Sequence, residues 1–252
     1  MESTLKVTVR YDGTGFAGWQ VQPDRRTVQG ELQRVLSQIA SRTVHVFGAS
    51  RTDAGVHALG QVFSCQWRGP LAPERLQRSL SQMLGPEIRI ECIEEVAPEF
   101  HARKCARRKR YAYTLSLAQH ADPFSARYAW HVPWAIDLEC LAQLARRLEG
   151  KHDFAGFQAS GATVKTTVRT VESVGVRPGG IIGPCDAEGL MHIEFCADGF
   201  LYKMVRNLVG TLVDIARGVM PEARLEDLLA SPGPYCGHTA PAHGLVLLEV
   251  IY

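Results

Sequence analysis

Asp53 is the side chain to which this sequence most readily assigns chemical work. It lies in the stretch SRTDAGVHA, residues 50–58, two positions after Arg51, two before Gly55 and four before His57. Gly55 argues against a helix here, and the stretch lacks the period-two alternation of a strand. A loop that fixes one carboxylate next to a guanidinium serves either as a structural ion pair or as an active site. A metal centre fits poorly, because Gly55 removes the helix that would align Asp53 with His57. No neighbouring His, Cys or Glu completes a shell. A serine-nucleophile motif is absent as well.

Two other stretches carry chemistry. From residue 103 to 110 the sequence RKCARRKR holds six cations and no acid, and it runs directly into RYAYTL. Tyr111 and Tyr113 share one face of that strand. Aromatic faces beside Lys and Arg are what stacking on an unpaired base requires; the same alternation also describes the core side of an ordinary strand. In YKMVRNLVG, Arg206 lies two residues off the stripe of Met204, Leu208 and Leu212. It either snorkels to the surface or turns inward to pair with a carboxylate, for which Asp53 is a candidate.

A literal GxGxxG, GTGFAG at residues 13–18, follows the first strand. A dinucleotide site would need those glycines to open a helix, but Pro23 intervenes and no acid closes the next strand. A nicotinamide site is therefore rejected. Phe16, Trp19, Arg25 and Arg26 on this connection suit a flexible surface for a large polar partner, or a surface loop with aromatic anchors.

The elements that must position these residues recur in the same order twice. Strands are expected at 5–11, 43–47, 61–67 and 88–96, and helices at 27–40, capped by Thr27, and 73–84, closed by Gly85. That is the split β-α-β-β-α-β order of ferredoxin-like folds. The second half repeats it, with strands at 110–117, 168–176, 190–197 and 245–252. Its helices fall at 137–150, with Asp137 as cap and Gly150 as stop, at 200–218 and at 222–230. The expected architecture is α+β: two ferredoxin-like lobes, residues 1–105 and 106–252, with mostly antiparallel sheets and an active-site groove between them.

A chain of 252 residues is long enough to bury a sizeable core in either arrangement. The net charge of +2 is too small to argue for nucleic acid, so the clustering of cations carries that argument. Seven cysteines, odd in number and without a CxxC pair, fit neither a disulfide framework nor a zinc site. With no apolar leader and no long apolar run, the expectation is a reduced, cytoplasmic protein off the membrane.

The stretches YDGTGFAGWQVQP, RTVQGELQ, SRTDAGVHALGQV, FHARKCARRKRYAYTL, HDFAGF, GFLYKMVRNLVGTL and APAHGLVLLEVIY follow in order from end to end. Together they resemble the tRNA pseudouridine synthase A family, the TruA type. The resemblance implies isomerisation of uridine to pseudouridine at positions 38–40 of the tRNA anticodon arm, without metal or organic cofactor, by a homodimer. It implies that Asp53 is the nucleophile, that Tyr111 stacks on the target base, and that Arg51 and Arg206 flank the aspartate and help to bring out the nucleotide. Arg25, Arg26, Arg103, Arg107, Arg108 and Lys109 are expected to contact the RNA. Two positions depart from the family pattern: Ser50 where glycine is common, and Lys104 after FHAR where an aromatic is frequent. The competing reading is a non-catalytic RNA-binding protein with two RRM-like sheets, which gives Asp53 no special role.

Overall fold

The structure is a computed structural model describing residues 3–161, 164–230 and 237–252. Ten strands and five α-helices among them make a mixed α+β fold. The chain forms two compact units, one of residues up to Arg107 together with Val246–Tyr252, the other Arg108–Leu245. Among the described residues, no helix is long and apolar enough to cross a membrane. Cys236 lies outside these residues; the other six cysteines are free thiols.

In the first unit, β1 (Ser3–Tyr11) pairs antiparallel with both β3 (His57–Trp67) and β4 (Ile88–Val96). Two short partners share the other edge of β3. One is β2 (Phe47–Gly48), antiparallel; the other is β10 (Leu245–Ile251), parallel through Val246 and Leu247. Leu5, Val7 and Val9 alternate along β1 and are fully buried, as the two-residue side-chain period of a half-buried strand requires. Helix α1 (Val28–Ala40) supplies Val28, Leu32, Val35 and Leu36 to the core, and α2 (Pro73–Met83) supplies Leu76 and Leu80. The Thr27 hydroxyl accepts the Gly30 N–H at 3.2 Å and caps α1, a bond of the kind that stabilises a helix by about 1 kcal/mol.

In the second unit, β5 (Arg108–Ser116) lies antiparallel to β9 (Leu190–Ala197), β9 to β8 (Val168–Pro178), and β8 to β7 (Gly150–Asp153). A two-residue strand, β6 (Trp130–His131), runs parallel to β5. Helix α3 (Leu138–Arg146) is capped by the Asp137 side chain on the Cys140 N–H at 2.9 Å. Helix α4 (Met204–Ala216) is buried at nearly every position, and α5 (Ala223–Ala230) buries Leu225 and Leu228.

Several expectations need correction. The apolar run 245–252, expected in the second lobe, gives its strand to the first unit, where Gly60 makes room for it. A Cβ at Gly60 would overlap the Leu248 carbonyl. The strand expected at 43–47 shrinks to Phe47–Gly48, because side chains of α1 occupy the backbone of 44–46. Ser37 Oγ accepts the Val44 N–H, Gln33 accepts the Val46 N–H, and Gln29 donates to the Val46 carbonyl. Gly150 does not stop a helix: α3 ends at Arg146, and Gly150, at φ 105, opens β7. The long helix begins at Met204 rather than residue 200, since Lys203 holds a left-handed φ of 58.

Candidate active site

Asp53 stands in an irregular run that turns through Gly55, at φ 79, into β3. The turn closes through the Val56 N–H, which donates to the Asp53 carbonyl at 3.1 Å. The flanking residues are fixed from several directions. Gln61, fully buried, accepts the Ser50 N–H at 3.2 Å and donates to the Ser50 carbonyl at 2.9 Å, so its amide acts as a strand partner for one residue. The Thr52 hydroxyl shares a 2.8 Å hydrogen bond with the buried Tyr11 hydroxyl. Trp19 donates its N–H to the Thr52 carbonyl at 3.0 Å. A half-buried Asp53 side chain is thereby carried on a backbone pinned on both sides.

The glycines of GTGFAG explain themselves here. Residues Gly13–Gly15 form a short 3₁₀ turn, and a Cβ at Gly13 would overlap the Val56 carbonyl. At Gly18, φ 95, a Cβ would lie 2.8 Å from the Thr52 carbonyl oxygen and 3.1 Å from the Asp53 carbonyl carbon. Backbone meets backbone on both sides of Asp53. Phe16 and Trp19 are buried rather than offered to a partner. This connection therefore braces the aspartate loop, and the reading of it as a flexible surface is set aside.

His57, considered above against Asp53, faces another carboxylate. Its buried ring places Nδ1 3.0 Å from the Gly13 N–H and 3.2 Å from Asp12 Oδ1. The Gly13 N–H donates to that nitrogen. Asp12 is satisfied from the other side, by the Thr14 N–H at 3.0 Å and hydroxyl at 2.6 Å. Among the described residues, no group of three or more His, Cys, Asp or Glu is arranged to hold a metal ion.

Arg51 is exposed on the same loop as Asp53, and Arg25 is exposed on the brace. Arg26 makes a two-point ion pair with Glu87, at 2.7 and 3.0 Å, with its guanidinium 4.3 Å over the Phe16 ring. That hydrogen bonding raises its already high pKa further.

The second unit gathers Tyr111, Tyr113 and Arg206. Tyr111 on β5 is 5 % exposed, its ring edge-on to Phe200 at 5.0 Å. Tyr113 is fully buried and donates its hydroxyl to the Pro241 carbonyl at 2.8 Å. Burial pushes the Tyr113 hydroxyl far above its ordinary pKa, with the nearby Arg206 charge acting the other way. Arg206 is half-buried on the first turn of α4, where Nε donates to the Ala240 carbonyl at 2.8 Å and its own carbonyl accepts the Ala240 N–H at 3.1 Å. Gly210 lets that segment lie against the helix, since a Cβ there would overlap the His238 carbonyl.

The cation run divides. Arg103, Lys104 and Arg107 are exposed and Lys109 is half-buried, whereas Arg108 pairs with Glu172 at 2.9 Å and Arg110 with Glu194 at 3.0 Å. The sequence reading missed Gln61, Tyr11 and the paired glycines as supports of Asp53. A buried glutamine in an apolar strand was the one available signal, because such an amide must find partners.

Comparison with known proteins bears on what this arrangement does. The family described as tRNA pseudouridine synthase matches residues 7–103 and 144–252. The chain is 42 % identical to tRNA pseudouridine synthase A of Moorella thermoacetica over 98 % of this chain and 99 % of that protein. It is 38 % identical to the synthase of the same name from Geobacillus sp., over 100 % and 99 % of the two chains. With that of Lacticaseibacillus casei the identity is 41 %, over 98 % of each. This chain belongs to the tRNA pseudouridine synthase family, enzymes that isomerise uridine to pseudouridine.

Proposed function

We propose that the enzyme acts on uridines 38–40 of the tRNA anticodon arm, with the Asp53 carboxylate as nucleophile. The observation that best supports this reading is the pinned loop: Ser50, Thr52 and the Asp53 carbonyl are each held by a named hydrogen bond. Catalysis rewards such fixed geometry, since a reacting group held in place has its entropy cost already met. The target uridine leaves its stack, at a cost of about a few kcal/mol, and enters an enclosed site. Asp53 attacks, the N1–C1′ bond breaks, and the uracil turns while held. C5 then joins C1′, the bond to Asp53 breaks and restores its carboxylate, and the C5 proton is lost while N1 takes one up. A carboxylate nucleophile divides one difficult step into two. Arg51 and Arg206 help to bring out the nucleotide. Arg25, Arg26, Arg103, Arg107, Arg108 and Lys109 contact phosphates and supply most of the salt-dependent affinity. The reading takes each unit as ferredoxin-like and the working enzyme as a homodimer.

Transcripts with cytidine at 38, 39 and 40 test the target. Tritium release from 5-tritiated uridine should stop with these transcripts and persist when uridine is restored at any one of the three. Undiminished release from the all-cytidine transcript would move the target elsewhere.

Tyr111 supplies the aromatic body against which the uracil is held, a contact worth about 1–3 kcal/mol. Tyr111→Phe keeps the ring and removes the hydroxyl, so binding and bond cleavage persist while completion slows, the hydroxyl assisting proton removal from C5. Tyr111→Leu loses both binding of the base and turnover. Single-turnover kinetics on anticodon-arm RNA, with melting temperatures alongside, separate these outcomes. A Leu variant as fast as wild type would make Tyr111 core packing alone.

A further inference from the structure

The first unit carries a cavity of about 260 Å³ that none of the residues given a role at Asp53 lines. Its floor is Thr4 and Gln66, directly opposed on β1 and β3 and hydrogen-bonded at 2.9 Å. Thr4 alternates with Leu5, Val7 and Val9, so it lies on the sheet face opposite that core. One wall is the segment 98–101, tied down by the Thr4 hydroxyl on the Pro98 carbonyl and by the Ala102 N–H on Ser64 Oγ. The other wall is Phe47, 50 % exposed, whose ring stands 5.4 Å from the His101 imidazole at 43°. Glu99 and Lys104, both exposed, also line it, with the exposed Arg103 next to Lys104 in sequence.

These groups have a chemistry in common. An exposed phenyl ring beside an imidazole offers stacking surface to any planar ring. Burial, with the charges of Lys104 and Arg103, holds the His101 imidazole below its ordinary pKa. A neutral imidazole stacks and hydrogen-bonds without repelling a neutral base. The exposed Glu99 carboxylate disfavours a free anion but accepts from an amino or imino N–H, as carboxylates do from bases. The exposed cations Lys104 and Arg103 suit a phosphate. The volume falls just under the ~300 Å³ typical of small-molecule pockets, a size compatible with one base.

We propose that this cavity holds one unpaired base of the tRNA substrate, stacked on Phe47 and His101, with its phosphate at Lys104 and Arg103. The inference rests on tRNA being the substrate.

The test is direct binding of an unmodified tRNA transcript, measured beside turnover, for wild type, Phe47→Ala and Phe47→Trp. Phe47→Ala should raise Kd and KM by roughly five- to a hundredfold, the range for loss of one base–aromatic stack. The limiting rate should fall by less than about twofold in that variant, since the stack lies apart from the reacting atoms. Phe47→Trp keeps a ring and should restore both constants towards wild type. Equal Kd for Phe47→Ala and wild type, at equal melting temperature, would overturn the proposal whether or not turnover occurs. Wild-type protein that binds tRNA in this Phe47-dependent way but forms no pseudouridine would fault the catalytic reading instead.

Discussion

Gly13→Ala is expected to lower the turnover rate by roughly a hundredfold, the loss that a 1 Å misplacement of a reacting group can bring. A Cβ at Gly13 overlaps the Val56 carbonyl, which is backbone and cannot rotate aside. The Val56 N–H closes the turn on the Asp53 carbonyl, so a shift of Val56 carries Asp53 with it. Gly13 cannot retreat freely either, because its N–H is held by His57 Nδ1 at 3.0 Å. Overpacking of this kind costs about 1–3 kcal/mol, a fall in melting temperature of several degrees for a chain of this size. Gly85→Ala provides the comparison. Gly85 has a φ of 72 with nothing within 4 Å of an added Cβ, so alanine there strains the backbone by about 1–2 kcal/mol and touches nothing. Both variants should melt early, but only Gly13→Ala should lose turnover, with tRNA binding retained in both. Activity of Gly13→Ala that falls only in step with its melting temperature would refute the bracing role.

Local signals carried most of the helices. Thr27 and Asp137 were readable as caps because a hydroxyl or carboxylate ahead of an apolar 3.6-residue period has few other uses, and both cap as expected. The strand at 43–47 was misread for a tertiary reason. Its valines have the right propensity, yet Ser37, Gln33 and Gln29 of α1 take the backbone groups that a neighbouring strand would need. Nothing in LVLLEVIY specifies its partner, since an apolar run fits any interior edge; only Gly60, remote in sequence, reveals that β3 receives it. The short strands β6 and β7 have too few residues to show a period.

The candidate site was legible in the same uneven way. Asp53 could be singled out because a carboxylate beside Arg51 and Gly55 suits no regular element. Apart from Gln61, its supports could not, because their contacts span long separations: Tyr11 to Thr52, Gly13 to Val56, Gly18 to Thr52. The glycines were visible as a motif and attached to the wrong purpose. They admit the backbone of the aspartate loop rather than form a flexible surface for a large polar partner. The cation run was visible as a charge cluster, while the partners of Arg108 and Arg110, Glu172 and Glu194, lie more than sixty residues away in sequence.

The most direct measurement compares wild type with Asp53→Asn on tRNA carrying 5-tritiated uridine. Asparagine keeps the size and planarity of the side chain, and the hydrogen bonds that hold Ser50, Thr52 and the Asp53 carbonyl do not involve the carboxylate, so the protein should remain folded. Affinity for tRNA should survive, because it comes mainly from phosphate contacts. What the amide lacks is an anionic oxygen able to form and release a covalent bond, and without that the reaction has no first step. Wild type should therefore release tritium in step with pseudouridine formation, while Asp53→Asn binds the same tRNA and releases none above background. Tritium release by a folded Asp53→Asn at near the wild-type rate would contradict the account, and the nucleophile would have to be sought elsewhere in the chain.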